Sequence, residues 1–323
     1  MTSSFSKTLE QISNDNPLKN SLLYQLSQMD EERQSYFKTS WPKIAPQRRR
    51  EIMQALVEIG EHNFEVVFTP VFKLGLEDTE AEVRAAAIHG LWEEENPAFM
   101  RRFIQLLEQD SSPEVRTAAA IALGRFVYLG EVDQLDIAQA DLAKNSLLAV
   151  IYRKDEPLEV RRRAVESVAY SSDEAINRII EAAYYDEAEL MQISAIFAMG
   201  RSADHRWLPR ILTELDSSVA AMRFEAARAC GELEASKAVT KLIQLINEDE
   251  DLEVQEMAIW ALGHIGGNEA RHALELCVNH EVPALALAAK ESLDELNLFG
   301  DSLELLDFDD DLDDEDDLDN YDD

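Results

Sequence analysis

The stretch Arg223–Gly267, RFEAARACGELEASKAVTKLIQLINEDEDLEVQEMAIWALGHIGG, decides the fold. It reads as two amphipathic helices, an acidic turn and a third helix that copies the first. Gly231 and Gly263 stand 32 residues apart. Five residues before each is an alanine, Ala226 or Ala258. One before each is an apolar side chain, Cys230 or Leu262, and nine before each another, Met222 or Val254. Offsets of minus nine, minus five and minus one lie four apart, so they share one stripe of a helix. A helix–turn–helix unit recurring at this period is the signature of stacked repeats.

The same frame fits along most of the chain. Reference positions at Gly60, Trp92, Gly124, Ala169, Gly200, Gly231, Gly263 and Asp294 are separated by 32, 32, 45, 31, 31, 32 and 31 residues. The residue five before each is always alanine: Ala55, Ala87, Ala119, Ala164, Ala195, Ala226, Ala258 and Ala289. The residue one before is Ile59, Leu91, Leu123, Val168, Met199, Cys230, Leu262 or Leu293. Alanine lets helices approach at no cost in propensity, so its column predicts a close crossing. The fold class is all-α, an α-solenoid (superhelix) of stacked antiparallel helix pairs. The one long spacing predicts an insertion of about 13 residues near 128–142, YLGEVDQLDIAQADL. Such an insertion forms a loop or a lengthened helix, either part of a binding face or a tolerated surface feature.

Composition fits. Of 323 residues 46% are hydrophobic, enough for a sizeable core, and 11 Gly with 9 Pro suit helices joined by short connections. Cys230 and Cys277 fall in apolar helical contexts and read as reduced core residues of a cytoplasmic protein. The N-terminus has no signal-peptide core, and no stretch approaches eighteen apolar residues, so no membrane is expected. The net charge is −35, of which residues 301–323 carry 14 acids and no Lys or Arg, leaving about −21 on the rest. That surface repels phosphate backbones and argues against nucleic acid. The basic runs Arg48–Arg50 and Arg161–Arg163 read as solvated helix faces.

Taken in order, residues 1–17 read as frayed, followed by helices over Leu18–Met29 and Asp30–Trp41. Residues 1–45 then form an N-terminal helical cap and 46–299 about eight repeat units. In the first complete units, helices over Phe64–Leu76 and Pro97–Glu108 lead through acidic turns into helices over Glu80–Trp92 and Pro113–Val127. Asp78, Asp110, Asp155, Asp186 and Asp249 recur fourteen residues before their reference positions, with Asp216 one residue off. Six to eight residues further on stand Arg84, Arg116, Arg161 and Arg223, or Gln192 and Gln255. This pattern predicts a ladder tying neighbouring turns together. Residues 300–323, with Leu, Phe and Tyr set among the acids, predict a disordered tail that docks on a basic partner or folds back.

The stretch Asp110–Gly124 carries the motif D-x-x-x-E-V-R-x-x-A-x-x-A-L-G, in which Glu114, Val115 and Arg116 open the helix and Ala119, Ala122 and Leu123 line it. It resembles the HEAT repeat, specifically the short phycobilisome-lyase HEAT-like variety, over roughly residues 45–296. The resemblance implies a scaffold, with bilin lyases, a di-iron hydroxylase and DNA glycosylases as enzymatic exceptions. The hydroxylase (deoxyhypusine hydroxylase) uses several His-Glu pairs, whereas only His280-Glu281 occurs here. His62, His89, His205, His264 and His272 share no metal spacing, and no zinc motif or phosphate-binding glycine loop is present. No catalytic residue, metal or cofactor is therefore assigned.

In this architecture second helices usually line the concave side. There, positions three before and one after the reference mix aromatic, Arg and acidic residues from unit to unit. A binding groove is expected around Trp92, Arg125, Tyr170, Phe197, Arg201, Arg228 and Trp260. The adjacent Ser202, Asp204 and His205 read as a capping turn rather than a relay. The expected function is a non-enzymatic adaptor for another protein, one with a basic patch. The alternatives are a bilin lyase or chaperone-like subunit, and binding or shielding of a basic protein through the tail.

Overall fold

Proline and short acidic or amide side chains mark where the helices begin. Pro46, Pro97 and Pro113 sit in first turns, where a missing N–H costs nothing. Asp30, Asn96, Asp136, Asp173 and Asp251 accept hydrogen bonds from first-turn amides. The computed structural model describes residues 2–14 and 17–307, which fall into two compact units divided between residues 194 and 195.

The first unit opens with α1 (Thr2–Ser13), α2 (Asn20–Leu23), α3 (Glu31–Ser40) and α4 (Pro46–His62). Helix pairs follow: α5 (Thr69–Gly75) with α6 (Ala81–His89), α7 (Pro97–Gln109) with α8 (Pro113–Glu131), and α9 (Ile137–Ile151) with α10 (Leu158–Val168). After α11 (Glu174–Tyr184), the division between units falls inside α12 (Glu189–Arg201). The second unit holds α13 (Leu208–Glu214) with α14 (Ala220–Glu232), α15 (Val239–Glu248) with α16 (Leu252–Ile265), and α17 (Gly267–Cys277) with α18 (Pro283–Asp307). Each unit is an all-α solenoid in which second helices pack on second helices: α4 on α6, α6 on α8 and α8 on α10 in one, α14 on α16 and α16 on α18 in the other.

The alanine column lies in the core. Ala87, Ala119, Ala164, Ala195, Ala226, Ala258 and Ala289 have no exposed surface, and only Ala55, in the first helix of the frame, is half-buried. Close approaches between successive second helices also fall at four reference glycines, Gly124, Gly200, Gly231 and Gly263, whereas Gly60 meets nothing within 4 Å. A Cβ on Gly231 would stand 3.0 Å from Ala261 Cα, and one on Gly263 2.8 Å from Ser292 Cβ. Glycine faces a small residue two before the next reference, so the second helices cross without room for another methyl.

The ladder forms in both units. Arg84 grips Asp110 with two bonds of 2.7 Å and its own turn through Asp78 O at 2.8 Å. Arg223 likewise holds Asp249 at 2.6 and 2.7 Å and Ser217 O at 2.9 Å. Gln192 and Gln255 keep only the carbonyl half of the contact, donating to Asp186 O and Asp249 O. Arg116 departs from the expected pairing. Its partner is the buried Glu156 at 2.7 Å, not the adjacent Asp155.

Several expectations are corrected. Residues 1–17 are not frayed throughout: α1 buries Phe5, Leu9 and Ile12, and Arg48 Nε donates to Ile12 O at 2.6 Å. Helix 18–29 shrinks to α2 and a single 3-10 turn, Tyr24–Leu26. The helix expected from Phe64 begins only at Thr69. Pro70 has no N–H to bond back to Val66, so a helix entering from upstream would lose that bond. Ser27 Oγ and Gln28 N instead hold both backbone groups of Val67, at 2.9 and 3.1 Å.

The insertion is mostly helix: α8 is lengthened to Glu131, α9 starts at Ile137, and Gly130 lies against Ala140. The basic runs are not solvated faces. Arg48 and Arg49 are buried, and Arg49 pairs with Asp78 at 2.9 Å. Arg162 is held by Glu159, and Arg163 by Glu159 and Glu166. Cys230 is buried as expected, but Cys277 only half-buried; both are free thiols. Helix α18 continues past residue 300 to Asp307, so the tail boundary is not a helix end, and the expected disorder of 308–323 lies outside the described residues.

Candidate protein-binding face

Four of the seven expected residues lie in the second unit, and three of them, Phe197, Arg201 and Arg228, meet. Phe197 and Arg201, at the end of α12, lie beside Arg228 and Glu232 of α14. The Arg228 guanidinium stands 3.8 Å from the centroid of the Phe197 ring, and that of Arg201 5.4 Å from it. Arg228 also donates to Glu225 at 2.7 Å, to Glu232 at 2.5 Å and to Phe197 O at 3.3 Å. Arg201 reaches Glu232 at 3.4 Å. Trp260 of α16 lies over Gly231, where glycine leaves room for the indole, and stacks on His264 with centroids 3.8 Å apart. Burial raises the Glu232 carboxyl above its ordinary value against the opposing pull of Arg228 and Arg201. Arg228 is only 9% exposed. It organises the face through Phe197 and two carboxylates, while Phe197 and Trp260 are half-buried and Arg201 is exposed.

The other three lie in the first unit. Arg125 of α8 is paired with Glu95 at 2.5 Å. Tyr170, just after α10, packs edge-on against Tyr128 with centroids 5.6 Å apart. Trp92 is not on a helix: α6 ends at His89, and the ring stands 53% exposed in the following turn. It lines a groove of about 370 Å³ together with Val57, Gly60 and Phe64. Phe64, 81% exposed, is a surface residue that the sequence pattern hides within an expected helix; Pro70 is the signal that could have released it. A second groove of about 330 Å³ shares Val57 and Glu61 with the first and continues along α6 to Glu114. A larger one of about 750 Å³ lies between α3, α5 and α7, lined by Phe37, Leu74 and Phe99 and by charges of both signs, Lys38, Lys73 and Arg102 with Glu31 and Glu77.

Ser202, Asp204 and His205 form a turn. Asp204 accepts from Arg206 N at 2.9 Å, and Ser202 Oγ donates to Met199 O at 2.8 Å. Among the described residues no group of three or more His, Cys, Asp or Glu is placed to hold a metal ion, and no helix is long and apolar enough to cross a membrane.

Repeated helix pairs with a buried alanine column, glycine crossings and an Asp–Arg ladder define a helical repeat protein. A family model of HEAT repeats matches residues 69–146 and 208–294, together just over half of the chain. The chain belongs to the HEAT repeat family. A comparison with curated proteins returned no match. Among solved structures it is similar to human deoxyhypusine hydroxylase in complex with glycerol, at 18% identity over 83% of this chain and 96% of that one, with a TM-score of 0.36. It is also similar to the Escherichia coli protein YibA, at 19% identity over 73% and 96%, TM-score 0.42. A designed armadillo repeat protein in complex with the peptide (KR)4 matches at 21% over 63% and 100%, TM-score 0.36.

Proposed function

We propose that this HEAT repeat chain is a non-enzymatic, cytoplasmic adaptor that binds another protein through the second-helix (concave) face of its repeats. Residues 1–45 cap the array, the units of residues 46–299 present the binding face, and the acidic segment that follows is accessory. One observation carries this reading. Columns that pack the core stay apolar from unit to unit, whereas the neighbouring stripe changes among His89, Ile121, Glu166, Phe197, Arg228 and Trp260. Glu166 and Arg228 are buried in ion pairs, but Phe197 and Trp260 keep accessible surface, and aromatic and Arg side chains are those that supply binding hot spots. The accessible parts of Trp92, Tyr170, Phe197, Arg201 and Trp260 are the proposed contacts, with Arg125 and Arg228 holding them in place.

The test is affinity capture from a cell extract with three forms in parallel: the full chain, the full chain carrying Arg201→Glu and Trp260→Ala, and a chain ending at Asp307, where α18 ends. A partner retained without residues 308–323 and lost with the two substitutions is the expected result. A partner that needs only residues 308–323 would overturn the reading.

A further inference from the structure

We infer that the groove beside Trp92 is a docking site for a partner segment carrying Lys or Arg next to aliphatic side chains. The inference rests on the protein-binding reading above and names one site and one chemistry for it.

The groove exists because two elements stop short. Helix α5 begins only at Thr69, so Asn63–Phe68 crosses the end of α4 as an irregular strap, tethered by Ser27 and Gln28. Helix α6 ends at His89, so Trp92 occupies a turn instead of a helix crossing. A Cβ built on Gly60 meets nothing within 4 Å, the reverse of Gly231 and Gly263. Phe64, Trp92 and Val67 are exposed by 81%, 53% and 46% around this opening. Large apolar side chains gathered at an open groove mark an interaction surface.

Charge selects the occupant. The two connected grooves are lined by Glu61, Glu82, Glu93, Glu94 and Glu114 and by no Lys or Arg. Glu82 is committed to Arg50, and Glu94 accepts from Thr69. Glu61, Glu93 and Glu114 make no ion pair with Lys or Arg among the described residues. An indole face in that field attracts ammonium and guanidinium groups, and the apolar strap takes the aliphatic parts between them. An acidic segment would be repelled at the same place.

The test measures binding of fluorescein-labelled decapeptides of alternating Lys/Leu, Gln/Leu and Glu/Leu to the full chain by polarisation. Four variants are compared: Trp92→Ala, Phe64→Ser, Glu61→Gln with Glu93→Gln, and Arg201→Glu with Trp260→Ala. The Lys/Leu peptide is expected to bind, the Glu/Leu peptide not. Trp92→Ala and Phe64→Ser should each weaken Lys/Leu binding about tenfold, and the double Gln variant should also flatten its salt dependence. Because Trp92 and Phe64 are exposed, unchanged thermal melting will accompany those losses. Lys/Leu binding that changes less than twofold in the Trp92 and Phe64 variants would overturn this site. If it is then lost in the Arg201/Trp260 variant, the adaptor reading survives without it. If no variant changes it, the peptide is held by general acidity and both readings fail for this ligand.

Discussion

The crossing of α14 with α16 and that of α4 with α6 obey the same sequence frame and end differently. At the first, Gly231 faces Ala261 and the Trp260 ring lies on the glycine, so the crossing is closed and the aromatic becomes part of the wall. At the second, Gly60 faces open space, and the next reference position is itself a tryptophan, which stands out in a turn. One aromatic residue displaced along the repeat therefore turns a packing contact into an exposed one. The frame determines where helices meet; which side of the crossing holds the bulky residue determines whether they close.

The two regions should therefore share their ladder and differ at their crossings. Arg84→Met and Arg223→Met each leave a buried carboxylate, Asp110 or Asp249, without its cation. Each should cost about 3 kcal/mol of unfolding free energy in urea titrations. A loss confined to one of them would break the equivalence. Next in size, Gly231→Val forces atoms into Trp260 and Ala261 and should cost about 2 kcal/mol.

A pH series sharpens the ladder half. The Arg223 guanidinium holds the Asp249 carboxyl below its ordinary value, a shift that hydrogen bonding from Asp251 N reinforces against burial. Its contribution is thus fully present above the ordinary aspartate value of 3.8 and is lost as pH falls through the lower folded value. Asp249→Asn should destabilise the protein at neutral pH and leave a shallower decline of melting temperature with acid than the parent shows. The smallest effect has the opposite sign. Gly60→Ala replaces a helical glycine beside open space and should stabilise by about 0.5–1 kcal/mol. Destabilisation there would mean that the α4–α6 crossing is closed after all.

The fold was legible because packing writes itself at fixed intervals. Ala226, Cys230 and Gly231 recur as Ala258, Leu262 and Gly263, since each pair of second helices meets the same steric demand. The ladder was legible for the same reason, except where the turn before α10 supplies its carboxylate from Glu156, one residue along from Asp155. Of the candidate site, the stripe could be counted off in the sequence, but its state could not. Arg228 is a residue type typical of hot spots and is buried between Glu225, Glu232 and Phe197, an arrangement of four side chains that spans two helices. Phe64 was hidden by its apolar neighbours Val66, Val67 and Phe68, which look like a helix start until Pro70 is weighed. The spacing of Phe5, Leu9 and Ile12 already marks an amphipathic helix in residues 2–13, but the partners that cover it, Arg48 and Tyr36, are distant in sequence.

The most direct test of the binding face is a hydrogen-exchange footprint of the full chain with and without a captured partner. Slowed exchange is expected along the second helices and the turns that end them, at residues 89–95 in the first unit and 197–201 and 260–264 in the second. Protection confined to the first helices α7, α13 and α15, or to residues 308–323, would contradict it.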